Sequence, residues 1–254
     1  MNWHEGRMCL FDLETTGVDP HRDRIVTAAV IEAGGGHQTV TREWLVDPVI
    51  AISEGATAVH GITTEHARFG GRPAVIAVKE IALDLLSCTQ RSGMPVIGHN
   101  VSYDLTMLHA ELIRHGHDDL ARNLLAICPV IDTFVLDKWA DRYRKGSRKL
   151  VDVAAHYGVD LSEQDAHGAA ADALAAGRIA WHIAKKYPGA QGSARDVHGW
   201  LIDEKRQQAE SFGAYLRKQG KTDDVSREWP IQSPPPDWSP DQLPTPATES
   251  EAVA

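Results

Sequence analysis

The chain has 254 residues, 43 % hydrophobic and 24 % charged, with a formal net charge of −9. That length accommodates one large domain, or a medium domain with appendages, around a sizeable core. The acidity argues against a protein that coats nucleic acid non-specifically, because such binding rests on basic patches that release counterions. No apolar run approaches the roughly 20 residues a bilayer-spanning helix needs, so no membrane association is expected.

Residues 1–7 offer no basic segment followed by a long apolar stretch, and a cytoplasmic location is expected. Cys9, Cys88 and Cys128 are odd in number, lie in apolar segments and lack paired metal or redox spacing, which predicts reduced core thiols. The charge is uneven. From Thr222 to Ala254 seven acids face Arg227 alone, so this tail carries −6 and the remainder only −3. A globular part so nearly balanced can hold a phosphodiester locally.

In chain order, the apolar run 8–11 reads as a strand ending in Phe11-Asp12-Leu13-Glu14-Thr15-Thr16-Gly17. Residues 24–33 and 38–46 are β-rich and separated by Gly34-Gly35-Gly36, which predicts a hairpin and, with the first strand, an antiparallel meander. Residues 73–87 place Val75, Ile76, Ile81, Leu85 and Leu86 near helical spacing. A buried strand at 95–98 leads through Asn100 to Asp104 into a helix over 105–114, and a last strand at 129–131 leads to Asp132-Thr133. Strands alternating with helices imply parallel pairing, so the fold class is α/β with a mixed five-stranded sheet flanked by helices.

Helices are predicted over 149–157, over the alanine-rich 168–187, and over 194–219, where Trp200, Leu201, Phe212, Tyr215 and Leu216 are candidate buried positions. Beyond Gly220 the prolines rise and the apolar periodicity stops. The expected division is a domain over 1–188, a helical extension over 189–220, and an acidic proline-rich tail over 221–254 that is disordered or wrapped on the surface. Its Trp229 and Trp238 are anchors, to the protein's own domain or to a partner.

In an extended strand alternate side chains share a face, so Asp12 and Glu14 point one way while Phe11 and Leu13 point the other. Two converging carboxylates repel unless a hard divalent cation lies between them, and such cations prefer oxygen ligands. Further acids stand at neighbouring element ends. Asp104 follows the strand ending in Gly98-His99-Asn100, and Asp172 lies early in the alanine-rich helix, five positions after His167. The small residues 168–171 let that helix approach the sheet closely. His115-Gly116-His117-Asp118-Asp119 resembles a metal-binding run, but without a companion motif it reads as a solvated loop between helices.

The three segments Phe11–Gly17, Gly98-His99-Asn100-Val101-Ser102-Tyr103-Asp104 and His167-Gly168-Ala169-Ala170-Ala171-Asp172 together resemble the DEDDh (DnaQ-like) 3′–5′ exonucleases. That group contains the proofreading epsilon subunit of bacterial DNA polymerase III. Lesser similarities lie at Val59-His60-Gly61-Ile62, Ile131-Asp132-Thr133 and residues 149–154, and the resemblance spans roughly 7–187. It implies a ribonuclease H-like fold, with Asp12, Glu14, Asp104 and Asp172 binding two Mg2+ or Mn2+ ions and His167 as general base. A histidine five residues before the last acid, where relatives use a tyrosine four before it, defines this branch. The resemblance also implies that Leu13, Thr15 and Thr16 line the terminal-nucleotide pocket, that His60 and Ile62 sit by its base, and that Asn100 helps orient the strand.

Two metals about 4 Å apart stabilise both the attacking and the leaving oxygen of an in-line phosphoryl displacement. A histidine with a pKa of about 6.5 can accept the attacking water's proton at neutral pH. The expected activity is metal-dependent hydrolysis from the 3′ end of single-stranded DNA, releasing nucleoside 5′-monophosphates. The alternatives are an exoribonuclease of the same fold, since discrimination rests on how a 2′-hydroxyl is received, and a non-catalytic nucleic-acid-binding or polymerase accessory module. The expected partners are 3′ ends of DNA, or of RNA, and a DNA polymerase or other replication or repair protein reached through the tail.

Overall fold

The computed structural model describes residues 2–90, 92–161, 168–222 and 224–243. Strand β1 (Arg7–Thr15) buries Met8, Cys9, Leu10, Phe11 and Leu13 and so is covered on both faces. It pairs antiparallel with β2 (Ile25–Gly34), which pairs antiparallel with β3 (Val40–Asp47), giving the expected meander. Gly34, Gly35 and Gly36 turn the chain between β2 and β3 with φ of 91°, 62° and 74°, a region that glycine alone enters without strain. On the other side of β1 lie β5 (Val96–Gly98) and β6 (Val130–Asp132), both parallel.

The sheet has six strands, in the order β4-β3-β2-β1-β5-β6, rather than five. The additional β4 (Arg72–Pro73) pairs with Val46 and Asp47 at the edge. Two residues carry no alternation to read, and a proline is tolerated there because an edge strand need not donate on its outer side.

The segment after the meander contains α1 (Glu54–His60) and α2 (Thr64–Gly70), whose N-termini are capped by the hydroxyls of Ser53 and Thr63. Helix α3 (Ala74–Gln90) buries Ile81, Leu85 and Leu86 as expected, whereas Val75 and Ile76 in its first turn face solvent. Helix α4 (Val101–Arg114) starts four residues earlier than its apolar pattern indicated, because Asn100 takes the left-handed conformation (φ 58°, ψ 35°) that begins the helix directly after β5. Then follow α5 (Asp118–Leu124), α6 (Thr133–Ala140), α7 (Leu150–Tyr157), α8 (Ala169–Lys186) and α9 (Ala194–Lys218). His115 to His117 form the turn between α4 and α5, with His117 at the N-cap of α5.

Helix α8 covers one face of the sheet, where Leu10 abuts Gly177; α3 covers the other, where Glu80 and Asp84 meet Trp44 and Arg42 of β3. The three cysteines are free, Cys9 and Cys88 buried and Cys128 half-buried. Helix α9 packs through Val197, Leu201, Ala209 and Gly213. Phe212 and Tyr215, expected inside, are 49 % and 56 % exposed and stack on each other, because only small residues of the last turns touch the domain.

Residues 224–243 of the tail lie against the domain. Trp229 is buried against the His198 ring, and the backbone N–H of Gln232 donates to Thr106 Oγ1 at 3.0 Å. Trp238 Nε1 donates to the His21 carbonyl at 2.7 Å, and Arg114 reaches the Pro240 carbonyl at 2.8 Å. Backbone carbonyls and indole rings find partners on the domain that composition alone does not reveal. No helix among the described residues is long and apolar enough to cross a membrane.

Candidate active site

Leu10, Asp12 and Glu14 alternate onto the face of β1 that α8 covers. Helix α8 comes close there because Gly177 has no side chain: a Cβ would stand 2.7 Å from the Leu10 methyls. From Gly177 back to Asp172 the helix advances about 7.5 Å, and from Leu10 on to Asp12 the strand advances about 6.8 Å. The contact at Leu10 therefore sets Asp172 beside Asp12 and Glu14. Carboxylate oxygens of these three half-buried residues lie within 4.8 Å of one another.

Asp104 completes the group from the first turn of α4. It is 5 % exposed, and its Oδ1 accepts from the Leu13 backbone N–H at 3.2 Å. Helix α4 is held at its start by Asp132, whose Oδ1 accepts from the N–H groups of Asn100 and Phe134, both at 2.9 Å. Gly98 lets β5 meet β1 at this end, since a Cβ would lie 2.7 Å from the Phe11 carbonyl oxygen.

The electrostatics follow from crowding like charges in a desolvated place. Burial, then Asp104, Asp172 and Glu14, hold the Asp12 carboxyl well above the usual carboxylate range. Burial and Asp172 push Glu14 up to about 8. Burial also raises Asp104, against the hydrogen bonds that favour its charged form. The charges that raise Asp12 and Glu14 are those of neighbouring carboxylates. A divalent cation answers that arrangement, and a donor set made of carboxylate oxygens suits a hard ion such as Mg2+ or Mn2+.

The expected substrate contacts fall into two groups. His60 and Ile62 line a cleft of about 270 Å3 with Glu14, Thr27, Glu43 and Trp44. His60 Nδ1 accepts from the Ile62 N–H at 3.1 Å, so Nε2 carries the proton and donates to the Thr15 carbonyl at 3.3 Å. Asn100 is exposed beside Asp104 and its amide makes no capping bond. The Thr15 hydroxyl donates to the Gly17 carbonyl at 2.7 Å and lies 3.0 Å from the Tyr103 hydroxyl. Thr16 is buried with its hydroxyl on Asp23 at 2.7 Å, and the Leu13 side chain is buried on the opposite face of β1. His167 lies outside the described residues.

Tyr103, Asp23 and Asp132 support the site; Asp132 stood in the sequence within the similarity at Ile131-Asp132-Thr133, and Asp23 alone of the three carried no signal there. Tyr103 was legible only as part of a motif; its hydroxyl also donates to the Gly17 carbonyl at 2.7 Å, tying α4 to the turn after Glu14.

The fold and site together define a sheet-borne cluster of acids whose oxygen donors suit a hard divalent cation. Residues 9–180 match the exonuclease family RNase_T, and the chain belongs to that family. The DNA polymerase III PolC-type of Pediococcus pentosaceus is 25 % identical over 182 residues, 71 % of this chain and 11 % of that protein. The chain thus spans about a tenth of the curated relatives it matches. Among solved structures, Escherichia coli exonuclease I bound to a dT13 oligonucleotide gives a TM-score of 0.59 at 20 % identity, covering 72 % of this chain and 42 % of that one. Its zinc-bound complex with single-stranded DNA gives 0.60 at 19 %, covering 80 % and 43 %. The likeness establishes a ribonuclease H-like, DnaQ-like fold.

Proposed function

We propose that this chain is a divalent-metal-dependent 3′–5′ exonuclease that removes nucleoside 5′-monophosphates from single-stranded DNA ends, in the DEDDh branch. The observation that carries the proposal is the convergence of Asp12, Glu14 and Asp172 from two separate elements within 4.8 Å, with Asp104 delivered from a third. Nothing in the packing of a core calls for four carboxylates there, and burial of like charges is costly unless a cation joins them.

Asp12, Glu14, Asp104 and Asp172 would hold two Mg2+ or Mn2+ ions, which when bound stabilise charge on the attacking and leaving oxygens. Asp104 stays oriented by the Leu13 N–H and by its helix. His60 and Ile62 wall the cleft beside Glu14, where a terminal base fits. Thr15, Thr16 and the backbone at Leu13 shape the same rim through their turn, and the exposed Asn100 amide faces the incoming strand. His167 takes the proton of the attacking water. DNA is the favoured substrate because the relatives are DNA polymerases and the structural neighbours hold DNA strands. A replication or repair setting in the cytoplasm fits the same relatives. Because Trp229 and Trp238 turn inward, a polymerase partner would meet the acidic edge of the tail at Asp237 and Asp241.

The test is a gel time course with Mg2+ or Mn2+ on 5′-labelled single-stranded DNA and RNA of one sequence, with Asp12→Ala as control. A metal-dependent ladder shortening from the 3′ end in the wild type alone supports the assignment, and its relative rates rank the sugars. Absence of a ladder on both strands rejects it in favour of a binding or accessory role.

A further inference from the structure

Between α6 and α7 the chain reads Arg142-Tyr143-Arg144-Lys145-Gly146-Ser147-Arg148-Lys149, five cations in eight residues without an acid, in a protein of net charge −9. Two of the cations are structural. Asp137 is fully buried on α6 and takes Arg144 Nη2 at 2.6 Å and Arg148 Nη1. Arg148 Nη1 also donates to the Asp137 carbonyl at 3.1 Å. These bonds fix the loop at its middle and its end. Arg142, Lys145 and Lys149 remain exposed and make no ion pair among the described residues, and Tyr143 is 87 % exposed.

The loop is tied to the segments that carry the carboxylate group. The Arg148 carbonyl accepts from His99 Nε2 at 2.9 Å, and His99 immediately precedes Asn100, the residue that starts the helix bearing Asp104. Lys149 is the N-cap of α7, which packs on α8, the helix bearing Asp172. A centre built from four acids repels the phosphates on either side of the one it cleaves. A compensating positive surface beside it lowers that cost and raises the local concentration of the strand. An exposed aromatic among cations adds a face on which any base can stack.

We propose that Arg142, Tyr143, Lys145 and Lys149 form a clamp for the single-stranded DNA upstream of the scissile bond, the cations contacting successive phosphates and Tyr143 stacking on a base. The clamp rests on the exonuclease reading for its setting. Its chemistry, phosphate contact plus stacking, is independent of which base is present, as an enzyme shortening any sequence requires.

The test uses the full chain. Binding of a fluorescent oligo-dT strand is measured with Ca2+ between 50 and 200 mM salt for wild type, Arg142→Glu/Lys145→Glu, Tyr143→Ala, and the charge-matched control Lys218→Glu/Lys221→Glu on and just after α9. The loop reversal is expected to weaken binding at least about tenfold and to reduce the salt slope by about 1.4, two single-strand phosphate contacts. Tyr143→Ala is expected to weaken binding at least about fivefold with the slope unchanged, as loss of one stacked base implies. Hydrolysis of thymidine 5′-(p-nitrophenyl phosphate), which has no upstream phosphates, should be the same in all four proteins. Loop variants that bind like the α9 control overturn the clamp. If the wild type hydrolyses neither substrate yet loses strand binding only with the loop variants, the exonuclease reading fails and the clamp stands.

Discussion

Glu14 has a carboxyl raised from 4.5 to about 8 by burial and by Asp172. A folded-state pKa above the unfolded one means that the folded chain holds the proton more tightly. The stability this contributes is complete below about pH 4.5 and is lost as pH rises through 8. The metal-free protein should therefore melt progressively lower between pH 5 and pH 8 in EDTA. Calorimetry should find a shallower decline for Glu14→Gln, and Mn2+ should raise the melting temperature more at pH 8 than at pH 5.5, where protons compete for the same oxygens. The division of labour among the residues is testable in parallel. Asp12→Ala should abolish cleavage and weaken metal binding, whereas His167→Ala should slow turnover by at least about 100-fold with metal affinity retained. Equal loss of metal binding in both variants, read by titration calorimetry, contradicts a purely proton-transferring His167. Asp12, Glu14, Asp104 and Asp172 were all legible in the sequence because each stands at a strand or helix end within a short motif. The supporting roles of Tyr103 and Asp132, each visible only as a member of a motif, were not, because their value lies in bonds across 88 and 32 residues of sequence.

The position of Asp172 is fixed by the contact between α8 and β1 at Gly177 and Leu10. Gly177→Ala places a methyl 2.7 Å from the Leu10 side chain, so helix or strand must shift. The overpacking should cost about 1–3 kcal/mol, and the shift should lower kcat on oligonucleotides more than it raises KM. The double variant Leu10→Ala/Gly177→Ala should recover part of the lost kcat, since the two residues are in contact and their effects are not additive. A double-mutant cycle on activity, with folding followed by circular dichroism, decides this. The small residues 168–171 announced a helix able to lie close to the sheet. The residue opposite it was decided by packing. The short helices α1, α2 and α6 were not legible as helices; α1 buries none of its residues and α2 only Ala67, so neither carries an apolar stripe to read. Their starts rest on single caps such as Ser53, Thr63 and Asp132.

Over the whole molecule, the tail is held to the domain at several separate points, from His198 of α9 through Thr106 and Arg114 of α4 to His21 and Arg24 before β2. Arg24 and Arg114 flank the buried Glu111, and the same two arginines reach the carbonyls of Gln242 and Pro240. Trp229, 7 % exposed, is the largest apolar group this segment buries. Trp229→Ala should cost about 3 kcal/mol, lowering the melting temperature by roughly 6–12 °C for a chain of this size. Cleavage at 20 °C should be little changed, because the tryptophan packs on His198 of α9 and not on the carboxylate group. A melting temperature within 2 °C of wild type would mean that the tail does not stabilise the fold. The meander, the parallel strands, the long helices and the acids that converge at the end of β1 were readable along the chain, because these rest on periodicities and motifs contained in ten or twenty adjacent residues. The edge strand, the early start of α4, the inward turn of the tail tryptophans and the tie between the basic loop and His99 came from packing. Each of those depends on a partner distant in the chain: Val46 for β4, Asp132 for α4, His21 for Trp238 and His99 for Arg148. Such contacts form only once the core has brought the segments together, and no local pattern of residue types encodes them.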